Sequence, residues 1–153
     1  CRVMQKLFEA CYYADDRVAE NPVAPTDLRP LYQAVLRHTD EFVVNQFGNY
    51  VVQHAIINSP SPLKLQFVSL LLPRIAELSK SKFGSNVAEK VIEVSNEEQR
   101  TEILNFLSET HGSGTEPPRI VHMMRDAFGN YVVQRLLDRS AAPLQQCIME
   151  RVV

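Results

Sequence analysis

A short pattern of side chains recurs four times along the chain, at the first, second and fifth positions of a segment. Its copies are Cys1-Arg2-x-x-Gln5, Asn49-Tyr50-x-x-Gln53, Ser85-Asn86-x-x-Glu89 and Asn130-Tyr131-x-x-Gln134. Most first and fifth positions carry hydrogen-bonding groups, and carboxamides among them offer a donor and an acceptor side by side. The second position carries a flat group, and flat side chains stack on nucleobases. The pattern therefore predicts contacts to the edges and faces of unpaired bases.

The four copies of the pattern suit three different base edges. Asn with Gln matches uracil, whose Watson–Crick edge alternates acceptor, donor and acceptor. The carboxylate of Glu89 only accepts, which suits the two adjacent donors of guanine. Gln5 can pair with the donor and acceptor of adenine, beside a small apolar contact from Cys1. The predicted base-edge contacts are Cys1, Gln5, Asn49, Gln53, Ser85, Glu89, Asn130 and Gln134.

The second and sixth positions extend the predicted site. We expect the second position to stack on bases: Arg2, Tyr50, Asn86 and Tyr131, with Asn86 stacking least because its area is small. The sixth position is a basic type in every copy, which makes these residues candidate phosphate contacts or solubilising flanks: Lys6, His54, Lys90 and Arg135. A catalytic role for His54 is disfavoured, because no nucleophile or paired carboxylate stands at a matching place. We therefore predict no catalytic residues and no enzyme activity.

The charge of the chain is unevenly distributed. The net charge is −2, from 16 basic and 18 acidic residues, whereas proteins that hold phosphates are usually basic. The recurring segments themselves carry four Lys or Arg residues against the single acid Glu89, and most other acids fall on predicted loops and second helices. A locally basic groove on a mildly acidic body is consistent with modest phosphate contact.

The elements that position these side chains are predicted to be helical repeats. The pattern begins at residues 1, 49, 85 and 130, so the plain unit is about 36 residues, a length typical of paired-helix repeats. Proline- and glycine-rich insertions fall near residues 15–30 and 109–119 and predict surface loops. The second helices are expected at roughly Leu31–Arg37, Leu63–Leu72, Glu97–Leu107 and Leu144–Val152, with short leading helices at Pro73–Ser79 and Ile120–Asp126.

The core is predicted from helical periodicity. Positions three, four, seven and eight of each recurring helix cover one arc. All of them are apolar: Val3, Met4, Leu7, Phe8, Val51, Val52, Ala55, Ile56, Val87, Ala88, Val91, Ile92, Val132, Val133, Leu136 and Leu137. We also expect Met123, Met124 and the phenylalanine of each Phe-Gly pair in the core. Units that bury such faces on one another form an all-α solenoid with a concave surface.

With these residues identified, the chain resembles the Pumilio (PUF) family of RNA-binding proteins over nearly its whole length. The resemblance implies a right-handed α-solenoid of about four three-helix repeats, the first truncated, in a single domain 1–153. The approximate repeats of this domain are 1–37, 38–72, 73–118 and 119–153. It also implies antiparallel RNA, read as U by Asn130 and Gln134, G by Ser85 and Glu89, U by Asn49 and Gln53, and A by Cys1 and Gln5. The implied core is 5′-UGUA-3′.

The resemblance further implies a cellular role. Its expected elements are binding to mRNA 3′ untranslated regions, post-transcriptional control of translation or stability, and a cytoplasmic location. Repressor or deadenylase-complex proteins would bind on the convex face or the loop 109–119. We expect a monomer with no cofactor, metal or membrane contact. The chain begins at Cys1 inside a predicted helix, so we expect a piece of a longer protein, matching the C-terminal half of the family's repeat domain.

Two alternatives remain at this point. An armadillo- or HEAT-like scaffold for proteins also uses a concave helical face, although it would not require Asn, Gln and Tyr at fixed places. A nucleolar Pumilio-like factor in ribosome assembly would show looser base preference. The intact Ser85 and Glu89 pair and the paired Asn and Gln residues argue against that second alternative.

Overall fold

The computed structural model describes residues 2–15, 28–110 and 116–152, and every regular element among them is helical. Cys1 and the greater part of the predicted insertion near 15–30 lie outside the described residues. The helices are α1 (Arg2–Asp15), α2 (Arg29–Arg37), α3 (Thr39–Val43), α4 (Gly48–Asn58), α5 (Ser61–Leu71), α6 (Ile75–Ser79), α7 (Gly84–Val94), α8 (Glu97–Ser108), α9 (Arg119–Arg125), α10 (Gly129–Arg139) and α11 (Ala142–Val152). A 3-10 turn, Leu72–Arg74, joins α5 to α6.

The four helices that carry the recurring pattern are α1, α4, α7 and α10, and they pack side by side in chain order. The short helices α3, α6 and α9 each pack on the pattern-bearing helix that follows them, and α8 contacts both α9 and α11. Stacking of like units on their neighbours is the architecture of an α-solenoid. The predicted all-α solenoid is thus confirmed, and α3 is a leading helix that the sequence pattern did not predict.

Three glycines begin the pattern-bearing helices because another backbone lies against them. A Cβ on Gly48 would lie 2.8 Å from the Cα of Phe42, and one on Gly129 would lie 2.7 Å from the carbonyl oxygen of Met123. Gly84 meets the carbonyl oxygen of Leu78 at 2.8 Å in the same way. Each short helix therefore crosses the next helix too closely for any side chain. This close approach, rather than tolerance near a helix cap, is why the repeats place glycine there.

The predicted core is largely confirmed, with one systematic error at α1. Twelve of the sixteen predicted positions are buried, and Met4 and Leu137 are partly buried. Val3 and Leu7 are instead 74% and 43% exposed. Positions three and seven face the preceding helix of the stack, and no described residues precede α1. Its apolar face on that side is therefore uncovered.

The expected burial of the Phe-Gly phenylalanines and of Met124 is wrong. Phe47 is 63% exposed, Phe128 is 37% exposed and Met124 is 42% exposed, while Phe83 is half-buried. The glycine that follows each phenylalanine takes the place against the short helix, so the aromatic ring is left at the surface. Met123, by contrast, is fully buried as predicted.

Candidate nucleic-acid interface

A side-chain cap fixes the start of three pattern-bearing helices, α4, α7 and α10. The Oδ1 atom of Asn45 accepts hydrogen bonds from the backbone N–H groups of Phe47 and Gly48 at 2.8 and 2.9 Å. Asp126 accepts from the backbone of Phe128 and Gly129 at 2.9 Å each, and Ser81 caps Gly84 at 3.2 Å in the same manner. These caps were not predicted from the sequence, although Asn45, Ser81 and Asp126, whose types favour such local bonds, stand four residues before three of the four patterns.

The first pattern position is braced by the same turn. The Nδ2 atom of Asn49 donates to the carbonyl oxygens of Asn45 and Gln46 at 2.8 and 3.1 Å. Asn130 makes the equivalent bonds to Asp126 and Ala127 at 2.8 and 3.1 Å. Both donor hydrogens of each carboxamide are therefore directed at the backbone. The side chain is left with its Oδ1 acceptor to offer, a narrower chemistry than the donor-and-acceptor pair expected from sequence.

The second and fifth positions lie around the braced Asn49. Gln53 donates from Nε2 to the Oδ1 atom of Asn49 at 2.9 Å, and Asn49 is fully buried beneath it. The neighbouring Tyr50 is 53% exposed and Tyr131 is 58% exposed. Arg2 and Asn86 are likewise exposed. All four predicted stacking residues therefore present surface on which a base could lie.

The third copy of the pattern is charged and is tied to the next helix. Ser85 is 5% exposed, and its hydroxyl lies 3.4 Å from the carbonyl oxygen of Lys82. The carboxylate of Glu89 on α7 accepts from the Nε and Nη2 atoms of Arg135 on α10, at 3.3 and 3.2 Å. Both bonds converge on the same oxygen, Oε2. The predicted guanine-contacting residue is thus held by a side chain 46 residues away.

The sixth-position residues do not share one environment. Lys90 forms an ion pair with Glu93 at 2.6 Å, and Arg139 pairs with the same carboxylate at 3.0 Å. The bond from Lys90 lowers the pKa of the Glu93 carboxyl below its ordinary value. Arg135 is engaged with Glu89, whereas Lys6 is exposed and His54 is half-buried. The candidate phosphate contacts Lys90 and Arg135 therefore hold carboxylates of the protein.

Among residues 2–15, 28–110 and 116–152, no three His, Cys, Asp or Glu side chains lie together in a way that could hold a metal ion. No helix in the same ranges is both long enough and apolar enough to cross a bilayer.

The four helical repeats that carry these positions match a known family. A family model of the Pumilio-family RNA-binding repeat matches residues 1–17, 38–72, 74–108 and 119–153. The chain belongs to the Pumilio family. It is an α-solenoid of repeats that match this family's model, and the resemblance seen in the sequence is confirmed.

Similar proteins include curated relatives and solved structures. Pumilio homology domain family member 4 of Saccharomyces cerevisiae is 39% identical over 116 residues, covering 72% of this chain and 12% of that protein. Fem-3 mRNA-binding factor 1 of Caenorhabditis elegans is 28% identical over 145 residues, covering 90% of this chain and 24% of that protein. The chain therefore spans a quarter or less of either relative.

The structural neighbours are also Pumilio domains. The crystal structure of PUF-8 in complex with PBE-RNA superposes with a TM-score of 0.82 at 28% identity, covering 99% of this chain and 40% of that one. The RNA-binding domain of yeast Puf5p bound to SMX2 RNA superposes with a TM-score of 0.72 at 22% identity, covering 97% of this chain and 38% of that one. The second comparison supports the fold alone.

Proposed function

We propose that this chain reads single-stranded RNA in a sequence-specific way, one base per repeat, with the core 5′-UGUA-3′. The observation that carries the proposal is the placement of the base-edge pairs. Asn49 with Gln53, Ser85 with Glu89, and Asn130 with Gln134 lie on α4, α7 and α10, which pack side by side. Repeated pairs on successive helices of a solenoid suit successive unstacked bases.

The braced asparagines support a specific uracil contact. Because the Nδ2 atom of Asn130 is directed at the backbone, its Oδ1 atom would accept the N3–H of uracil, and Gln134 would donate to a uracil carbonyl. Tyr131 would stack on the base. At Asn49 the bond from Gln53 must open first. That exchange replaces one internal hydrogen bond by two bonds to the base.

The other two bases rest on different support. Glu89 would accept from the N1–H and the exocyclic amino group of guanine, with Ser85 beside it. Two charge-assisted bonds of this kind are stronger than neutral ones. The assignment of adenine rests on Gln5, which is half-buried on α1, and on Cys1, which lies outside the described residues. That assignment depends on the family resemblance.

We further propose that RNA binding serves mRNA regulation in the cytoplasm and that the chain has no enzyme activity. The name of Fem-3 mRNA-binding factor 1 identifies an mRNA-binding relative. Repressor or deadenylase-complex proteins would dock on the convex face or the loop 109–119. The base of that loop is tied together by Arg119, whose Nη1 atom donates to the Phe106 carbonyl oxygen at 2.8 Å and to Glu109 at 3.0 Å.

The test is a binding titration with short labelled RNAs that differ only in the core, UGUA, ACUA and UCUA, at one fixed salt concentration. We expect tight binding to UGUA and a loss of about 1–3 kcal/mol per wrong base. Equal, weak binding to all three would contradict the proposal. It would favour a protein-binding scaffold, which a pull-down with and without ribonuclease would then examine.

The same titration includes a specificity exchange that tests the register. Replacing Ser85 with Asn and Glu89 with Gln should change the preferred second base from G to U. The matched exchange, Asn130→Ser with Gln134→Glu, should change the first base from U to G. Unchanged preference in both variants would contradict the antiparallel register. A change at the wrong base would instead identify the register that is used.

A further inference from the structure

We propose that Arg135 is a positioning residue for the recognition of guanine, so that base choice in one repeat depends on a side chain of the next. This inference rests on the proposed RNA-reading function. Arg135 was a candidate phosphate contact from its place in the sequence. The structure instead directs its guanidinium at Glu89, the predicted guanine contact.

The geometry of the pair is suited to fixing the carboxylate. The Nε and Nη2 atoms of Arg135 approach one oxygen of Glu89 at 3.3 and 3.2 Å, from a separate helix. The side chains are partly covered, with 24% of Glu89 and 37% of Arg135 exposed. An unpaired glutamate on a helix surface samples several rotamers, and ordering it on binding costs entropy. A carboxylate already held by a neighbouring helix avoids part of that cost.

The charge of Arg135 also suits the chemistry of the site. A guanine whose edge pairs with Glu89 would remove water from an ionised carboxylate, which is unfavourable unless an opposite charge stays close. Arg135 supplies that charge from the adjacent repeat, through its contacts with Oε2 of Glu89. Guanine can then donate to a carboxylate that remains paired.

The neighbouring repeat supports this interpretation by contrast. The fifth-position residue of α4 is the neutral Gln53, which needs no counter-charge. The sixth-position residue of the following helix, Lys90, is correspondingly engaged elsewhere, with Glu93 at 2.6 Å. A basic residue of the next repeat therefore holds the fifth-position side chain where that side chain is charged. Of the two junctions α4–α7 and α7–α10, the one with a charged fifth-position residue, Glu89, is the one that holds this ion pair.

The experiment compares Arg135→Gln with a matched control, Arg139→Gln. Arg139 lies on the same helix and forms the second ion pair between α10 and α7, with Glu93 at 3.0 Å, away from the base-edge positions. Binding of wild type and both variants to UGUA and UUUA cores is measured at several salt concentrations. Thermal melting of all three proteins shows whether they are folded to the same extent.

We expect Arg135→Gln to reduce the preference for G over U at the second base by about threefold to fivefold, the range of a partly exposed ion pair. Arg139→Gln should leave that preference unchanged. Arg135→Lys, which keeps the charge but loses the two-pronged contact, should fall between wild type and Arg135→Gln.

Three results would overturn the inference. Equal weakening of both RNAs by Arg135→Gln, with a lower salt dependence, would make Arg135 a phosphate contact. Tighter binding to UGUA would make it a competitor of guanine for Glu89. Equal loss of preference in both variants would reduce it to general helix packing. If wild type itself shows no preference for UGUA over UUUA, the proposed function fails first, and this inference fails with it.

Discussion

The sequence Phe-Gly-Asn-Tyr-Val-Val-Gln occurs twice, at residues 47–53 and 128–134, and the two copies have different surroundings. On α4, Asn49 is fully buried and accepts a hydrogen bond from Gln53. On α10, Asn130 is half-buried and Gln134 is exposed. Within residues 116–152, no hydrogen bond joins these two side chains. In two identical segments, the predicted base-contacting side chains are therefore hydrogen-bonded to each other on α4 but not on α10.

The difference follows from the neighbours of each helix. Helix α4 packs between α1 and α7, whereas α10 packs on α7 at the edge of the described stack. Positions three and seven are buried on both helices: Val51, Ala55, Val132 and Leu136. At position eight, Ile56 is fully buried while its equivalent, Leu137, is only partly buried. Burial at a given repeat position is thus a property of the stack rather than of the segment.

The largest effect is expected from shortening the side chain at position eight of each helix, Ile56 on α4 and Leu137 on α10, to alanine. Ile56→Ala should lower the free energy of unfolding by about 3 kcal/mol, because it leaves a cavity between packed helices. Leu137→Ala should cost about 1 kcal/mol, because that side chain is already partly in solvent. Urea unfolding of both variants and wild type gives the two losses. Equal losses would show that the deeper burial of Ile56 adds nothing to its contribution to stability, and would contradict the comparison.

The same contrast explains what the sequence predicted well. Helical periodicity located the pattern-bearing helices and twelve of sixteen core positions, because each helix buries one arc whatever lies beyond it. The errors at Val3 and Leu7 arose at the edge of the stack, where the arc has no partner among the described residues. Helix α3 was missed because its five residues are too few to show a period and because no proline marks its start, as Pro73 does for the segment of α6.

The sequence predicts which residue types form the candidate site, but it does not predict the hydrogen bonds and ion pairs that hold them. Spacing alone identified Asn49 and Gln53 as a pair, yet the brace that turns Asn49 into an acceptor comes from backbone carbonyls of the preceding turn. The contact of Glu89 with Arg135 joins residues 46 positions apart. Such a contact depends on how two repeats pack, which no local pattern specifies.

A smaller test uses the glycines that begin the two helices. Gly48→Ala should destabilise the chain by about 2 kcal/mol, because the new Cβ would meet backbone atoms of Phe42. Gly129→Ala meets the backbone of Met123 just as closely, but α10 has a free side toward which it can shift. We therefore expect a loss of about 1 kcal/mol. Thermal melting compares the two, and a larger loss at Gly129 would contradict the role of the stack.

The smallest expected effect is a difference in how the caps of α4 and α10 make the free energy of unfolding depend on pH. Asn45 caps α4 and Asp126 caps α10 with the same pair of backbone bonds. The N–H groups of Gly129 and Phe128 lower the pKa of the Asp126 carboxyl below its ordinary value. A carboxyl whose pKa falls on folding stabilises the fold above its unfolded pKa, about 3.9, and that contribution is lost as pH falls through the folded pKa.

Because Glu93 and Glu97 also have lowered pKa values, wild type should lose stability in acid for several reasons, and the Asp126 contribution must be isolated by difference. Asp126→Asn keeps the capping oxygen and removes the charge. The gap in unfolding free energy between wild type and this variant should be constant above about pH 5 and shrink as the carboxyl protonates. The reciprocal change, Asn45→Asp, should introduce the same acid dependence at α4. A gap that stays constant down to the acid limit would mean that the charge of Asp126 contributes nothing and that both helices are capped by oxygen geometry alone.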